Sequence, residues 1–577
     1  MRFSALLVAA GLVGGGITFA QPPSAPADLI LTHAVIYTGQ GFAQDKPQTV
    51  EAMAVRNGKI VAIGATRQVM KLAGPKTRIR DVATARTGVY VFPGFDDAHV
   101  HLGEAGSLKL TLDLTDTRSL SQMMEAVARF ARNAPPGHWI TGGRWDQTLW
   151  PEKALPTRQE LDKVTAGHPA FLVRVDGHIA LANTAALEAA GITGKTVPPE
   201  GGAIDHDRDG QPTGILRESA QELVERVIPA PTPAERKRAL ELAIADAVAH
   251  GVTSVQDFSN WQIFLAAEEL EKAGQLDVRM TEWIPFLEPL AEEKQMRASH
   301  PGNDPMLHTG MLKGFMDGSL GSRTAALKAP YSDDPGNTGL PQYTQSRLNR
   351  MAVERQLAGF QLGFHAIGDE AVSMALDAIE QAELHLYRLK DPRQLKYRRD
   401  SLPRNRIEHA QVVDPAEIAR FRELGVIASM QPCQLLTDMN WAEARLGPKR
   451  AASSYTWKAF LQAGVRLAFG TDYPVEPISP YRGLYAAVTR KNEAGTRSYF
   501  PEQKISRGQA LAAYTQGSAY AEFAEKTKGK LQPGYDADFI LVDLDLYRAP
   551  AANLLTTRTL ETYVAGRQVY MADMRLQ

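Results

Sequence analysis

Between residues 91 and 472 the chain alternates short apolar runs with amphipathic stretches. This is the pattern of βα units built around a parallel sheet, and no other feature narrows the fold so far. The runs are Val91–His101, Val252–Asp257, Val278–Trp283, Leu312–Asp317, Phe360–His365, Arg406–His409, Val426–Gln431 and Arg466–Asp472. Most are continuous and apolar, as in strands buried on both faces. Eight such strands close a (β/α)8 TIM barrel, so the expected class is α/β. Helices fit between them. Thr232-Pro233-Ala234-Glu235 offers an N-cap, a proline at N1 and a glutamate at N3, opening a helix that runs toward Gly251.

The two ends differ from the middle. LILTHAVIYTG and MAVRNGKIVAIG, the second turning at Asn57-Gly58, are β-rich, as are LQPGYDADFILVDLD and TLETYVAGRQVYMAD near the C-terminus. Neither end alone has strands enough to bury a core. Residues 21–90 and 525–577 are therefore expected to pair into one small β-sandwich, leaving 91–524 as the barrel. Residues 103–231 are too long for one βα connection. They read as a cap insertion with its own strand, Phe171–Asp176, and a turn-rich stretch, GGAIDHDRDGQPTG. Long insertions at this face of a barrel usually shape the active site.

Composition excludes several classes. A net charge of -1 over 577 residues gives no basic field for nucleic acid. The single cysteine, Cys433, excludes a disulfide framework and any cysteine-rich metal site, and reads as structural. Any metal must be held by nitrogen and oxygen. Arg2, the apolar stretch Ser4–Ala20 and the following PPSAP have the layout of a secretory signal peptide, residues 1–20, cleaved near Ala20. The expected location is periplasmic or secreted. No later run is long enough to span a membrane.

The chemistry starts at PGFDDAHVH. His99 and His101, at i and i+2 on a strand, project from one face. At the C-terminal end of a barrel strand that face is the mouth. Ligand-type residues recur at the ends of later runs: His365 in FHAIGD, His409 in RIEHAQ and Asp472 in FGTDYP. Four histidines and an aspartate suit zinc or a similar divalent metal. Taken singly, His365 is as readily a satisfied buried histidine and His409 a strand cap. Lys313 begins the fourth run, where a charge is costly. A lysine there either snorkels to the surface, stays neutral near the metal, or reacts with carbon dioxide to give a carbamate.

With PGFDDAHVH, GVTSVQD, DGSLGSRTAAL, HAIGD, RIEHAQ and GTDYPVE in this order, the chain resembles the amidohydrolase superfamily, in particular its YtcJ-like (Amidohydro_3) metal-dependent hydrolases. The resemblance covers nearly the whole mature chain. It implies the barrel and the sandwich of both termini. It implies one or two divalent ions, zinc by preference. His99, His101 and Asp472 would hold the buried ion, His365 and His409 the second, and carbamylated Lys313 would bridge. It also implies hydrolysis of a C–N amide bond, N-acyl or N-formyl, in a small molecule by metal-activated water, with Asp472 as proton shuttle. A lactone, ester or cyclic amide would suit the same site, and a barrel that binds without catalysis is the remaining reading. DGH at 176–178 resembles a family cap motif, so His178 is a candidate substrate contact. Trp145 could supply an aromatic wall and Arg323 a carboxylate clamp, or each could only fix a loop. A small molecule is the expected partner, with no nucleic acid, and no membrane once the leader is removed.

Overall fold

The computed structural model describes residues 25–573 apart from 176, 200 and 288. The leader at 1–20 and Asp176 lie outside the described residues. Eight parallel strands form the central sheet in strict chain order. They are β1 (Phe95–Val100), β2 (Val252–Asp257), β3 (Arg279–Pro285), β4 (Leu307–Phe315), β5 (Leu362–Ala366), β6 (Arg406–His409), β7 (Ile427–Met430) and β8 (Leu467–Phe469). The ring closes where Val100 bridges Tyr473 in parallel. There the His101 amide donates to the Tyr473 carbonyl at 2.7 Å and the Asp472 amide to the His99 carbonyl at 2.8 Å. The result is the expected TIM barrel.

The barrel wall is apolar toward its helices, but its interior carries charge. Arg406 on β6 donates to the Ala98 carbonyl of β1 and to Ser429 Oγ of β7, both at 2.8 Å, and to Gln256 of β2. The polar members of these mostly apolar runs thus meet one another inside the barrel. Helix Pro233–Ala249 opens as its sequence dictates, with Thr232 and Glu235 exchanging side-chain-to-backbone hydrogen bonds.

Three boundaries differ from expectation. The run at Val91–His101 serves two sheets: Tyr90–Pro93 joins the terminal sandwich, and β1 starts only at Phe95. Gly94 is the break, because a Cβ there would lie 2.2 Å from Thr253 Oγ1. In β4 the strand starts five residues before the predicted Leu312, so Lys313 sits near its C-terminal end, at the mouth. The cap has six strands rather than one. Its hidden strand, Ile140–Trp145, contains Gly142 and Gly143, residues that weaken a strand signal. Only glycine fits there: Cβ atoms would meet the Leu112 and Val173 carbonyl oxygens at 2.4 and 2.2 Å. The cap has its own core around Met123, Val127, Trp145, Trp150, Leu161 and Leu172.

Strands from both ends of the chain share a six-stranded sheet, in which Phe539–Val542 pairs antiparallel with Tyr90–Pro93. A four-stranded N-terminal sheet packs on it through Leu31, Met53, Val91, Phe539 and Leu541. Its hairpin turns at Asn57-Gly58, with φ of 49° and 73°. Both central residues are left-handed, as a type I′ turn requires.

Candidate active site

His99, Lys313, His365, His409 and Asp472 lie at or just beyond the C-terminal ends of β1, β4, β5, β6 and β8, and His101 directly follows β1. The barrel brings all six together. Ring centroids are 5.3 Å apart for His99 and His101, 5.0 Å for His99 and His409, and 4.5 Å for His365 and His409. The Lys313 Nζ stands 3.1 Å from His99 Nε2. Asp472 Oδ1 is 3.1 Å from His101 Nε2 and 3.6 Å from His99 Nε2, and Oδ2 is 4.0 Å from His409 Nδ1.

The His99 and His101 rings are each turned by a neighbour. His99 Nδ1 lies 2.9 Å from Glu408 Oε2, and His101 Nδ1 lies 2.7 Å from the Phe258 carbonyl. A proton on each Nδ1 leaves both Nε2 lone pairs facing the centre. Glu408 is itself clamped by Arg406 at 2.8 Å. Asp472 Oδ2 accepts from Gln434 Nε2 at 2.8 Å. His409 and Asp472 have φ of 72° and 61°, conformations that cost a non-glycine residue about 1–3 kcal/mol. Such strain persists where surrounding structure demands a particular side-chain direction.

The electrostatics fit a cation. Burial opposes charge on Asp472, but His99 and His101 outweigh it and hold the carboxyl below the ordinary carboxylate range. Burial also opposes charge on His101, yet the Asp472 hydrogen bond raises its affinity for a proton. Carboxylate oxygen and imidazole nitrogen thus compete for one positive charge between them. His99 Nε2, His101 Nε2 and Asp472 offer ligand atoms within 4.8 Å of one another. His409 Nδ1 is buried with no hydrogen-bond partner. A donor set of nitrogen and carboxylate oxygen with one orphaned buried nitrogen fits a divalent ion. Lys313 is buried against the rings of Trp283 and Phe315, and burial pushes its amine down to about 8.

The expected substrate contacts fare differently. Trp145 is fully buried in the cap core, with its indole N–H donated to the Leu172 carbonyl at 2.8 Å, so it forms no wall for a ligand. Its strand packs on both sides, and a large aromatic ring fills that interior. Arg323 is engaged along its Nε–Nη2 edge by Asp333, at 3.2 and 3.1 Å, and is held to its own loop. His178 is largely exposed, with Nδ1 3.0 Å from Glu218 in the cap. Cys433 is fully buried and its thiol is pushed well up by burial, in keeping with a structural role.

Sequence reasoning missed the residues that orient the site. Glu408 stands inside RIEH, where its place beside the ligand His409 was the available signal; Gln434 opens the helix Gln434–Asp438 beyond β7 and carries no such mark. Asp317 is not among those missed: its place just after the Lys313 strand points to a loop-orienting role, and it accepts from the amides of Ala326, Ile367 and Gly368 at 2.9, 3.1 and 2.8 Å.

Comparison with known proteins adds to this geometry. Residues 87–570 match the amidohydrolase family. The chain is 31% identical to the YtcJ protein of Bacillus subtilis (strain 168), over 90% of this chain and 96% of that one. It is 28% identical to the N-substituted formamide deformylase of Arthrobacter pascens, over 93% of this chain and 97% of that one. Among solved structures, an uncharacterized metal-dependent hydrolase from Pyrococcus furiosus superposes with a TM-score of 0.73 at 29% identity, covering 90% of this chain and all of its own. The chain belongs to the amidohydrolase family and is a hydrolase.

Proposed function

We propose that this enzyme hydrolyses an N-formyl or N-acyl amide of a small molecule at the barrel mouth. The observation that carries the reading is the convergence of Asp472 with four imidazoles and a buried lysine amine. The similarity to a formamide deformylase supports the substrate class. His99, His101 and Asp472 would hold one divalent ion, zinc by preference. His365 and His409 would hold a second, and Lys313, as a carbamate, would bridge. When bound, the ion supplies Lewis acidity and brings the pKa of water to about 7.

The protein's own groups do the rest. Asp472 stays ionised, so an oxygen is available to accept the proton of the attacking water. The water oxygen bonds to the carbonyl carbon, the C–N bond breaks, and Asp472 returns the proton to the departing nitrogen. Gln434 keeps the carboxylate turned inward throughout. Neutral Lys313, favoured by its apolar surroundings, is the form that adds carbon dioxide.

The cap would cover the mouth and select the acyl group. The leader would direct the chain to the periplasm or outside the cell, so N-terminal sequencing of exported protein should begin at Gln21.

The test is a screen of zinc-loaded mature enzyme against N-substituted formamides, N-acyl amino acids, lactones and esters. Turnover should be greatest on the amides, vanish with chelator and return with metal. Faster turnover of lactones or esters would replace the amide reading. Inactivity on every class at full metal occupancy would make this a binding protein.

A further inference from the structure

A second cluster of ligand-type side chains lies at the other end of the barrel wall. Glu268 and Glu271 stand at the end of helix Trp261–Lys272, which follows β2. His300 and Asp304 lie in the segment that leads into the start of β4. None of these residues belongs to the mouth.

His300 carries the inference. Its side chain is only 6% exposed. Nδ1 is fixed at 2.8 Å from Glu268 Oε1 and the ring packs edge-on to Phe264. Nε2 is buried and has no hydrogen-bond partner. It faces two carboxylates, at 3.8 Å from Glu271 Oε2 and 3.7 Å from Asp304 Oδ2. Those distances are too long for hydrogen bonds. They approach the roughly 3.4 Å edge of a tetrahedron whose ligands stand about 2.1 Å from its centre.

The carboxylates are also aimed. Asp304 Oδ1 accepts from the amides of Met306 and Leu307 at 2.7 and 3.3 Å, which leaves Oδ2 for the imidazole side. Asp304 and Glu271 are close enough to hydrogen-bond to each other, and two adjacent carboxyls need a proton or a cation between them. A carboxylate on one imidazole nitrogen and an open lone pair on the other is the arrangement metal-ligating histidines adopt.

We propose that Glu271, His300 and Asp304 bind a divalent cation of the zinc type, with Glu268 positioning the His300 ring. The fourth position is open to water. The ion clips the helix after β2 to the entry of β4, the strand that carries Lys313 at its far end. It acts on stability and takes no part in hydrolysis at the mouth.

The experiment counts zinc. Wild-type mature protein and the Glu271→Gln/Asp304→Asn double variant are saturated with zinc, desalted and analysed by elemental mass spectrometry. Both amides are isosteric, and an asparagine Oδ1 still accepts from Met306 and Leu307. The wild type should retain one zinc per chain more than the double variant, with equal hydrolase activity in the two. Added zinc should raise the Tm of chelator-treated wild type beyond that of the variant. Glu268→Gln keeps all three ligands and should weaken this site by about 10–100-fold. Equal zinc counts in wild type and double variant would overturn the proposal. Should the double variant misfold, an unchanged affinity in Glu268→Gln overturns it as well.

Discussion

The barrel mouth and the cap treat their polar and aromatic side chains in opposite ways. At the mouth, His99 is turned by Glu408, His101 by the Phe258 carbonyl and Asp472 by Gln434, so functional atoms point into shared space. In the cap the comparable residues are committed to the cap itself. Trp145 fills its core, Asp146 binds Arg174 at 2.9 Å, and Asp205 binds Arg217 at 2.8 Å. The lesson is about direction. A strand end in a closed barrel fixes where a side chain points, so residue type and position together indicate a role. In an inserted sheet the same residue types face whatever interior the insertion builds.

This contrast predicts the largest effect at Asp472. Asp472→Asn keeps the volume and the Gln434 contact but removes the proton acceptor. Its kcat/KM on the best amide should fall by at least about 100-fold, the low end for a lost general base. Metal content measured on the same sample separates the roles. Full turnover with metal retained would remove Asp472 from proton transfer and make the mouth no more specialised than the cap.

Glu408→Gln comes next. Glu408 reaches the centre only through His99, so it is a positioning residue. Metal affinity should drop about 10–100-fold. The Arg406 guanidinium would also be left buried without its carboxylate, which costs about 3–5 kcal/mol on breaking such a pair. Competition with a chelator reads the first effect and urea unfolding the second. Loss of stability with unchanged metal affinity would mean that Glu408 serves only Arg406.

How much of this was legible follows the same division. β2 and β6 coincide with their sequence runs, because each run is bounded by turn residues and the strand is short. β4 was misplaced at its start, since LHTGM mixes polar residues with a glycine and does not read as buried. The ligand set could be read because HVH, FHA, IEH and GTD each sit at a strand end. Glu408 could not be assigned from its neighbours alone: what fixes its role is His99, 309 positions away. Trp145 was misread because its strand is broken in the sequence by Gly142-Gly143, which pair closely with both neighbours.

Trp145→Ala tests the cap side of the comparison. Removing an indole from a closed core and leaving its space empty costs about 3–5 kcal/mol. Urea unfolding should show that loss, while zinc content and kcat/KM per native chain stay unchanged. A raised KM without loss of stability would return Trp145 to the substrate and erase the distinction between the two regions.

The smallest effect belongs to Arg323. It follows β4 close to the mouth, where a guanidinium would be expected to capture a substrate carboxylate. Instead Nε and Nη2 face the two Asp333 oxygens, and Asp333 is also held by Arg445. Asp333 fills the Nε–Nη2 edge and ties the guanidinium to its own loop, so only the end-on Nη1 edge is left for another acceptor. Arg323→Ala should therefore change KM for acidic and neutral amides alike, and by less than about fivefold, as for an exposed ion pair. Measuring both substrates side by side matters, because disturbance of the loop alters the two equally. A loss confined to acidic substrates and exceeding about 100-fold would show that Arg323 leaves Asp333 when substrate binds. The mouth would then extend its control of side-chain direction from the strand ends into the loop beyond them.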